Sequence, residues 1–183
     1  MTRALALGLL LPLAAGCTTV ASTAYSSATE ERTVAEQASD TRISTAVRKR
    51  VLDVDSKSAV TLDVFTHLGQ VVIAGVAPPE SPIRQQAPGL ARGVEGVKRV
   101  DTYWVAAQPS KTSDYTITAK LKAKIVGDGD LKASQVDFTV LGGHVVLTGL
   151  VDRQAKVDEI VRHARSIEGV VAVRSFVLVR PAK

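Results

Sequence analysis

Apolar and polar positions alternate along Val60-Thr61-Leu62-Asp63-Val64-Phe65-Thr66. After a glycine-bearing break comes a nearly continuous apolar run, Gly69-Gln70-Val71-Val72-Ile73-Ala74-Gly75-Val76. Period-two alternation marks a half-buried strand and a short apolar run a buried one, so the two together predict a hairpin. The arrangement returns as Gln135-Val136-Asp137-Phe138-Thr139-Val140 and then Gly143-His144-Val145-Val146-Leu147-Thr148-Gly149-Leu150. Glycine at the turn accepts positive φ, and glycine late in the second strand releases the backbone before the next element. Ahead of each hairpin, apolar residues recur every four positions, Ile43-Val47-Val51 and then Ile117-Leu121-Ile125, the spacing of a helix with one face on a core. Asp40 stands where the first helix needs an N-cap, with 33–38 able to add a turn before it, and Asp114 is its counterpart.

The two copies align at an offset of 74 residues as far as Gly149 and at 73 from Ala91 and Ala164 onward, so the first copy holds one extra residue. After the second hairpin, Asp152 is placed to cap a helix bearing Val157, Ile160, Val161, Ala164 and Ile167 and closing at Gly169. In the first copy Pro78, Pro79 and Pro82 delay that helix. Pro88 removes a backbone donor inside it, which predicts a short or kinked element. Strands over 97–105 and 170–179 complete the copies. The order in each is helix, strand, strand, helix, strand. This is an α+β fold of two tandem αββαβ domains, each with two helices on one face of a three-stranded mixed sheet.

Composition agrees with two small cores, since 45% of the 183 residues are hydrophobic and only 4% aromatic. Residues 1–16 carry one early charge, Arg3, then an apolar run from Ala4 to Leu11 and a small-residue end. The run is too short to span a bilayer and reads as an export signal. The single cysteine, Cys17, follows it. The chain then divides into the signal (1–16), Cys17 with a Thr/Ser/Ala-rich flexible tether (17–39), a first domain (40–107), a linker containing Pro109 (108–113) and a second domain (114–180).

Leu13-Ala14-Ala15-Gly16-Cys17 resembles the lipobox of bacterial lipoproteins, in which the cysteine becomes the fatty-acylated, palmitate-type first residue of the mature protein. Ala14 stands where that family most often has leucine. The alternative is an ordinary cleaved signal that leaves a free thiol, although a lone exported cysteine has no partner for an internal disulfide. Thr18 is not the aspartate that resembles an inner-membrane retention signal, which points to the outer membrane.

The paired G-x-V-V-[IL]-x-G hairpins, with the helix-to-strand junctions Gly93-Val94-Glu95-Gly96-Val97-Lys98-Arg99-Val100 and Ile167-Glu168-Gly169-Val170-Val171-Ala172-Val173-Arg174, resemble the BON domain of bacterial envelope proteins. Two copies behind a lipobox resemble the dual-BON outer-membrane lipoproteins. The resemblance implies a non-enzymatic, periplasm-facing role in envelope integrity, with phospholipid contact often in the second domain.

Charge refines this expectation. The first domain holds nine basic and seven acidic residues, the chain from Lys111 onward twelve and eight. Lys111, Lys120, Lys122, Lys124 and Lys132 gather in and around the first helix of the second copy, beside Tyr115. Tyr115, Lys120, Lys122 and Lys124 are therefore the candidate lipid-binding residues, for an anionic phospholipid membrane. A plain solvated helix face is the other reading of the same lysines. Nucleic acid would also attract this charge, but an exported and anchored protein rarely meets it.

No nucleophile elbow, phosphate loop or dinucleotide fingerprint occurs, so neither catalytic residues, nor a cofactor, nor a small-molecule substrate is expected. His67, His144 and His163 are the only histidines and read as turn or surface residues, without the clustered Cys or carboxylate partners that a metal site wants. Gly127-Asp128-Gly129-Asp130 resembles the start of a calcium loop but lacks its later acidic positions and closing glutamate. A competing class is an envelope protein-binding adaptor or chaperone-like stress protein. It would use Phe65, Tyr103, Trp104, Phe138 and Phe176 on the sheet faces that helices leave open, unless these aromatics fill the two cores or the face between the copies.

Overall fold

The computed structural model describes residues 32–56, 61–106 and 112–181. The signal 1–16, Cys17, most of the tether and linker, and Lys111 lie outside them. Helix α1 (Val34–Val54) leads into β1 (Leu62–His67), β2 (Gln70–Val76), α2 (Pro82–Arg92) and β3 (Arg99–Val105). The second copy runs α3 (Asp114–Gly127), β4 (Val136–Leu141), β5 (His144–Val151), α4 (Gln154–Arg165), β6 (Ala172–Ser175) and β7 (Leu178–Val179), with a short 3₁₀ turn before β4. In each copy the central strand pairs antiparallel with its hairpin partner and parallel with the returning strand. Two mixed sheets result, as the pattern predicts.

Both hairpins turn on two residues at positive φ, Leu68 (53°) with Gly69 (81°) and Gly142 (57°) with Gly143 (80°), the type I′ pattern that suits strand twist. Leu68 sits in the left-handed region, where the Cβ of an L residue crowds the following carbonyl oxygen. A carboxylate compensates: Asp40 accepts the Leu68 N–H at 2.9 Å and the Gly69 N–H at 3.0 Å. Asp114 takes the N–H groups of Gly142 and Gly143 at 2.7 and 2.8 Å. The role of Asp40 as an N-cap is thereby corrected. The first helix starts two turns earlier, at a capping box in which Thr33 accepts from the Glu36 N–H and Glu36 from the Thr33 N–H. Residues 34–39, read as tether, belong to that helix. Asp114 is likewise not the cap of α3; Ser113 is.

Ile43, Val47 and Val51 close the first core with Val71, Ile73, Ala87 and Ala91, and Ile117, Leu121 and Ile125 close the second with Val145, Leu147, Ile160 and Ala164. Volumes trade between copies: Ala87 stands for Ile160, and Trp104, packed on the first core, stands for Val177 on the second. Pro88 does not shorten α2, which runs through it to Arg92. The carbonyl it leaves without its helix donor belongs to Arg84, a half-buried residue. Asp152 does not cap α4, whose N-cap is Arg153 without a side-chain bond; it pairs instead with Lys156 and Arg153. The last strand is interrupted at 176–177, where Phe176 still donates its N–H to the Leu147 carbonyl at 2.8 Å and the Val177 N–H turns to the Ser175 hydroxyl at 3.3 Å.

The faces that helices leave uncovered pack on each other. Val72, Ala74 and Val146 are buried there, with Phe65, Tyr103, Leu141 and Phe176 around them. Val72 and Val146 are repeat equivalents, as are Tyr103 and Phe176, so the seam is close to two-fold. Trp104 and Phe138 belong to the separate cores. The sheet faces expected for an adaptor are thus occupied by the other copy. Polar contacts rim the seam: Tyr103 Oη to His144 Nδ1 at 2.8 Å, Thr139 donating to Asp63 at 2.8 Å, and His67 Nε2 3.3 Å from Asp137 Oδ2, near enough for an ion pair but not aligned as a hydrogen bond. His67 is buried, against its expected surface position. Its contact lowers the Asp137 carboxyl below the usual range. Arg180 grips Glu36 with two nitrogens at 2.8 and 3.3 Å, tying α1 to the end of the second domain.

Two expectations follow for stability. Replacing Asp114 by Ala strands the N–H groups of Gly142 and Gly143 and costs about 2–4 kcal/mol, read as a lower urea midpoint at unchanged slope. The Glu36 carboxyl is lowered from 4.5 to about 2, chiefly by the Arg180 hydrogen bond. Since the folded value lies below the unfolded one, this stabilisation is complete above about pH 4.5 and disappears as pH falls toward 2. Both side chains are about a third exposed, so the pair contributes at most about 1 kcal/mol. Thermal melts of Glu36→Gln should run below the parent at neutral pH and converge with it near pH 2.

Candidate functional site

Helix α3 is fixed at its start and buried along one side, and these two facts decide what its other side presents. Ser113 caps it by accepting the Thr116 N–H at 3.2 Å, while Asp114 holds the hairpin turn beneath. Ile117, Leu121 and Ile125 are buried. At about 100° per residue, Tyr115, Ala119, Ala123 and Val126 then form one outward stripe, and all four are exposed. Tyr115 is 83% and Val126 64% accessible, high values for side chains of this size.

Lysines border the stripe, Lys122 on one flank and Lys120 with Lys124 on the other, all exposed. Among the described residues no carboxylate pairs with any of these three. Their stems can lie along apolar surface while the ammonium groups stay in water. On the helix wheel Lys122 lies about 20° from Tyr115, whereas Lys120 and Lys124 lie about 140° and 180° around from it, so the structure sets the three lysines on opposite sides of the stripe and not on one face with Tyr115. Cys17 and Lys111 lie outside the described residues, and Lys132 is exposed beyond the helix. Sequence reasoning missed Ala119, Ala123 and Val126. Their signal was the i, i+4, i+8, i+11 spacing from Tyr115, hidden because alanine draws no attention as an apolar residue.

A second cluster lies at the other end of α3. Asp128 caps the helix with its backbone and pairs with His163 of α4, Oδ2 to Nε2 at 2.7 Å, and Glu159 Oε1 reaches the same nitrogen at 3.1 Å. The hydrogen bond from His163 and those from the N–H groups of Asp130 and Leu131 lower the Asp128 carboxyl. His163 therefore has the carboxylate partners that the sequence alone does not reveal. Glu159-x-x-x-His163, one turn apart on a helix, was the available half of the signal. Among the described residues no helix is long and apolar enough to cross a membrane.

The duplicated αββαβ unit, with its second copy presenting a basic, apolar-striped helix, defines a tandem α+β repeat protein. The BON domain family matches residues 39–103 and 113–181, and the chain belongs to that family, with two BON domains in tandem. It is 31% identical over 153 residues to the outer membrane lipoprotein DolP of Haemophilus influenzae, covering 80% of this chain and 77% of that one. It is 27% identical to the osmotically-inducible protein Y of Escherichia coli, covering 74% and 70%. It is 28% identical to a 21 kDa hemolysin of Actinobacillus pleuropneumoniae, covering 68% and 67%.

Proposed function

We propose that this protein is a non-enzymatic lipoprotein of the outer membrane, anchored through Cys17 and facing the periplasm. In this reading its second BON domain binds anionic phospholipid through α3 in support of envelope integrity. The carrying observation is the exposed stripe of Tyr115, Ala119, Ala123 and Val126 between unpaired flanking lysines. Such a face suits a headgroup boundary: apolar and amphipathic side chains settle shallowly, and ammonium groups reach phosphates on both sides. Similarity to a protein named as an outer membrane lipoprotein supports the location. The Leu-Ala-Ala-Gly-Cys run supports the anchor. Anchoring also relaxes the affinity required, because a tethered domain meets its membrane at high effective concentration.

Each lysine near an anionic surface contributes about 1 kcal/mol, so changing Lys120, Lys122 and Lys124 together to Gln should weaken vesicle partitioning about 100-fold. The assay is co-sedimentation of residues 18–183 with anionic and neutral vesicles. Binding should fall with added salt, since screening acts beyond about 8 Å at physiological ionic strength. Val126→Asp should weaken binding with the lysines intact. Equal binding by parent and triple variant, or indifference to vesicle charge, would defeat the lipid reading. For the anchor, Cys17→Ala should release the protein from the membrane fraction and abolish fatty-acid labelling; retained label would refute it.

A further inference from the structure

We propose that Asp128, Glu159 and His163 form a binding site for a zinc-type divalent cation at the junction of α3 and α4. The residues come from two places in the chain: Asp128 just beyond α3, and Glu159 and His163 one turn apart on α4. One ligand atom from each lies within 4.8 Å of the others. The His163 Nε2 contacts, 2.7 Å to Asp128 and 3.1 Å to Glu159, sit just inside the spacing a metal requires. Zinc bonds of about 2.1 Å in a tetrahedron place ligand atoms about 3.4 Å apart, so the contacts need open by less than about 1 Å.

The remaining oxygens are already committed in a way that aims the free ones. Asp128 Oδ1 accepts the Asp130 and Leu131 N–H groups at 2.9 and 3.3 Å, which leaves Oδ2 turned to His163. Glu159 Oε2 pairs with Arg162, which leaves Oε1. This is the outer support that orients metal-bound carboxylates. Neighbouring cations are paired as well: Arg153 with Asp130 and Asp152, and Lys156 with Asp152. A cleft of about 440 Å³, lined by Asp128, Glu159, Asp130 and Arg153, opens beside the carboxylates. It offers a route for the ion and room for a water as fourth ligand.

One imidazole and two carboxylates suit zinc better than calcium, which takes six to eight oxygens, or magnesium, which holds octahedral oxygen shells. As the ion enters, any proton on Nε2 passes to solvent and the nitrogen lone pair and two carboxylate oxygens bond the metal. The site would pin the end of α3 to α4. It stands independently of any lipid contact.

The test uses the 183-residue chain carrying Cys17→Ala in mild detergent, so that the thiol takes no metal, titrated with zinc chloride in a calorimeter. One zinc per chain is expected, with a zinc-dependent rise in melting temperature. His163→Ala and Glu159→Gln should each weaken binding by more than about 100-fold, above the range for losing an outer support. Arg162→Gln, which keeps all three ligands and removes only an outer support, should weaken binding by no more than about 10–100-fold. Should His163→Ala fail to fold by circular dichroism, the near-isosteric Glu159→Gln decides. Co²⁺ gives the second readout, its tetrahedral visible bands appearing in the parent and not in Glu159→Gln. No zinc uptake by the parent chain, or equal uptake by Glu159→Gln, would overturn the site and leave a simple histidine–carboxylate cluster.

Discussion

A carboxylate carried on the first helix of each domain grips two backbone N–H groups of the hairpin turn, and much of the architecture depends on that grip. The bond is local at one end and long-range at the other, spanning 28 and 29 residues to the turn in both copies. It fixes how far along the helix the hairpin docks, and so which hydrophobic residues meet Ile43 or Ile117. It also satisfies donors that a type I′ turn, folded under a helix, would otherwise bury unpaired. In the first copy it holds Leu68 at positive φ, where the second copy uses Gly142. The same pairing of atoms in both domains, Oδ2 to the first turn residue and Oδ1 to the second, marks it as part of the repeated unit.

Helices on one side of a small mixed sheet leave the other side apolar and exposed, and the duplication resolves this. Val72 and Val146, with Tyr103 and Phe176, turn these faces on each other, so that each domain covers what its partner would otherwise present to water. The seam is apolar at its centre and polar at its rim, where His67, His144, Asp63 and Asp137 stand. Chain ends are recruited to the same purpose, since the Glu36–Arg180 pair joins the first turn of the first helix to the close of the second domain. The tandem is best viewed as one packed body built from two homologous halves.

This also explains which features the sequence disclosed. Period-four helices, turn glycines and the order of elements depend on neighbours within a few residues, and those were legible. Asp40 was visible as important but misassigned, because a helix-start aspartate and a turn-gripping aspartate look alike until the hairpin is placed. His67 appeared superficial since its burial depends on the other domain. One of the two carboxylate partners of His163, Asp128, lies 35 residues away in a loop, and no local pattern links those two. Pro88 misled for the opposite reason: the local penalty is real, but burial of Ile83, Ala87 and Ala91 on the same helix outweighs it.

The scaffold acts on α3 through its two ends. Asp114 ties the first residue of the helix to the hairpin turn, and the Asp128 contact with His163 ties the residue after it to α4. Between them Ile117, Leu121 and Ile125 bury one side, so the opposite side is held in register along its length. Tyr115 and Val126 occur near the two ends of the exposed stripe, with Ala119 and Ala123 between them and the lysines on its flanks. A surface fixed in this way has its backbone ordered before any partner arrives, and only side-chain freedom is lost on contact. Weak, shallow and distributed contacts can then add up, which loops with the same composition would achieve only after losing backbone entropy as well.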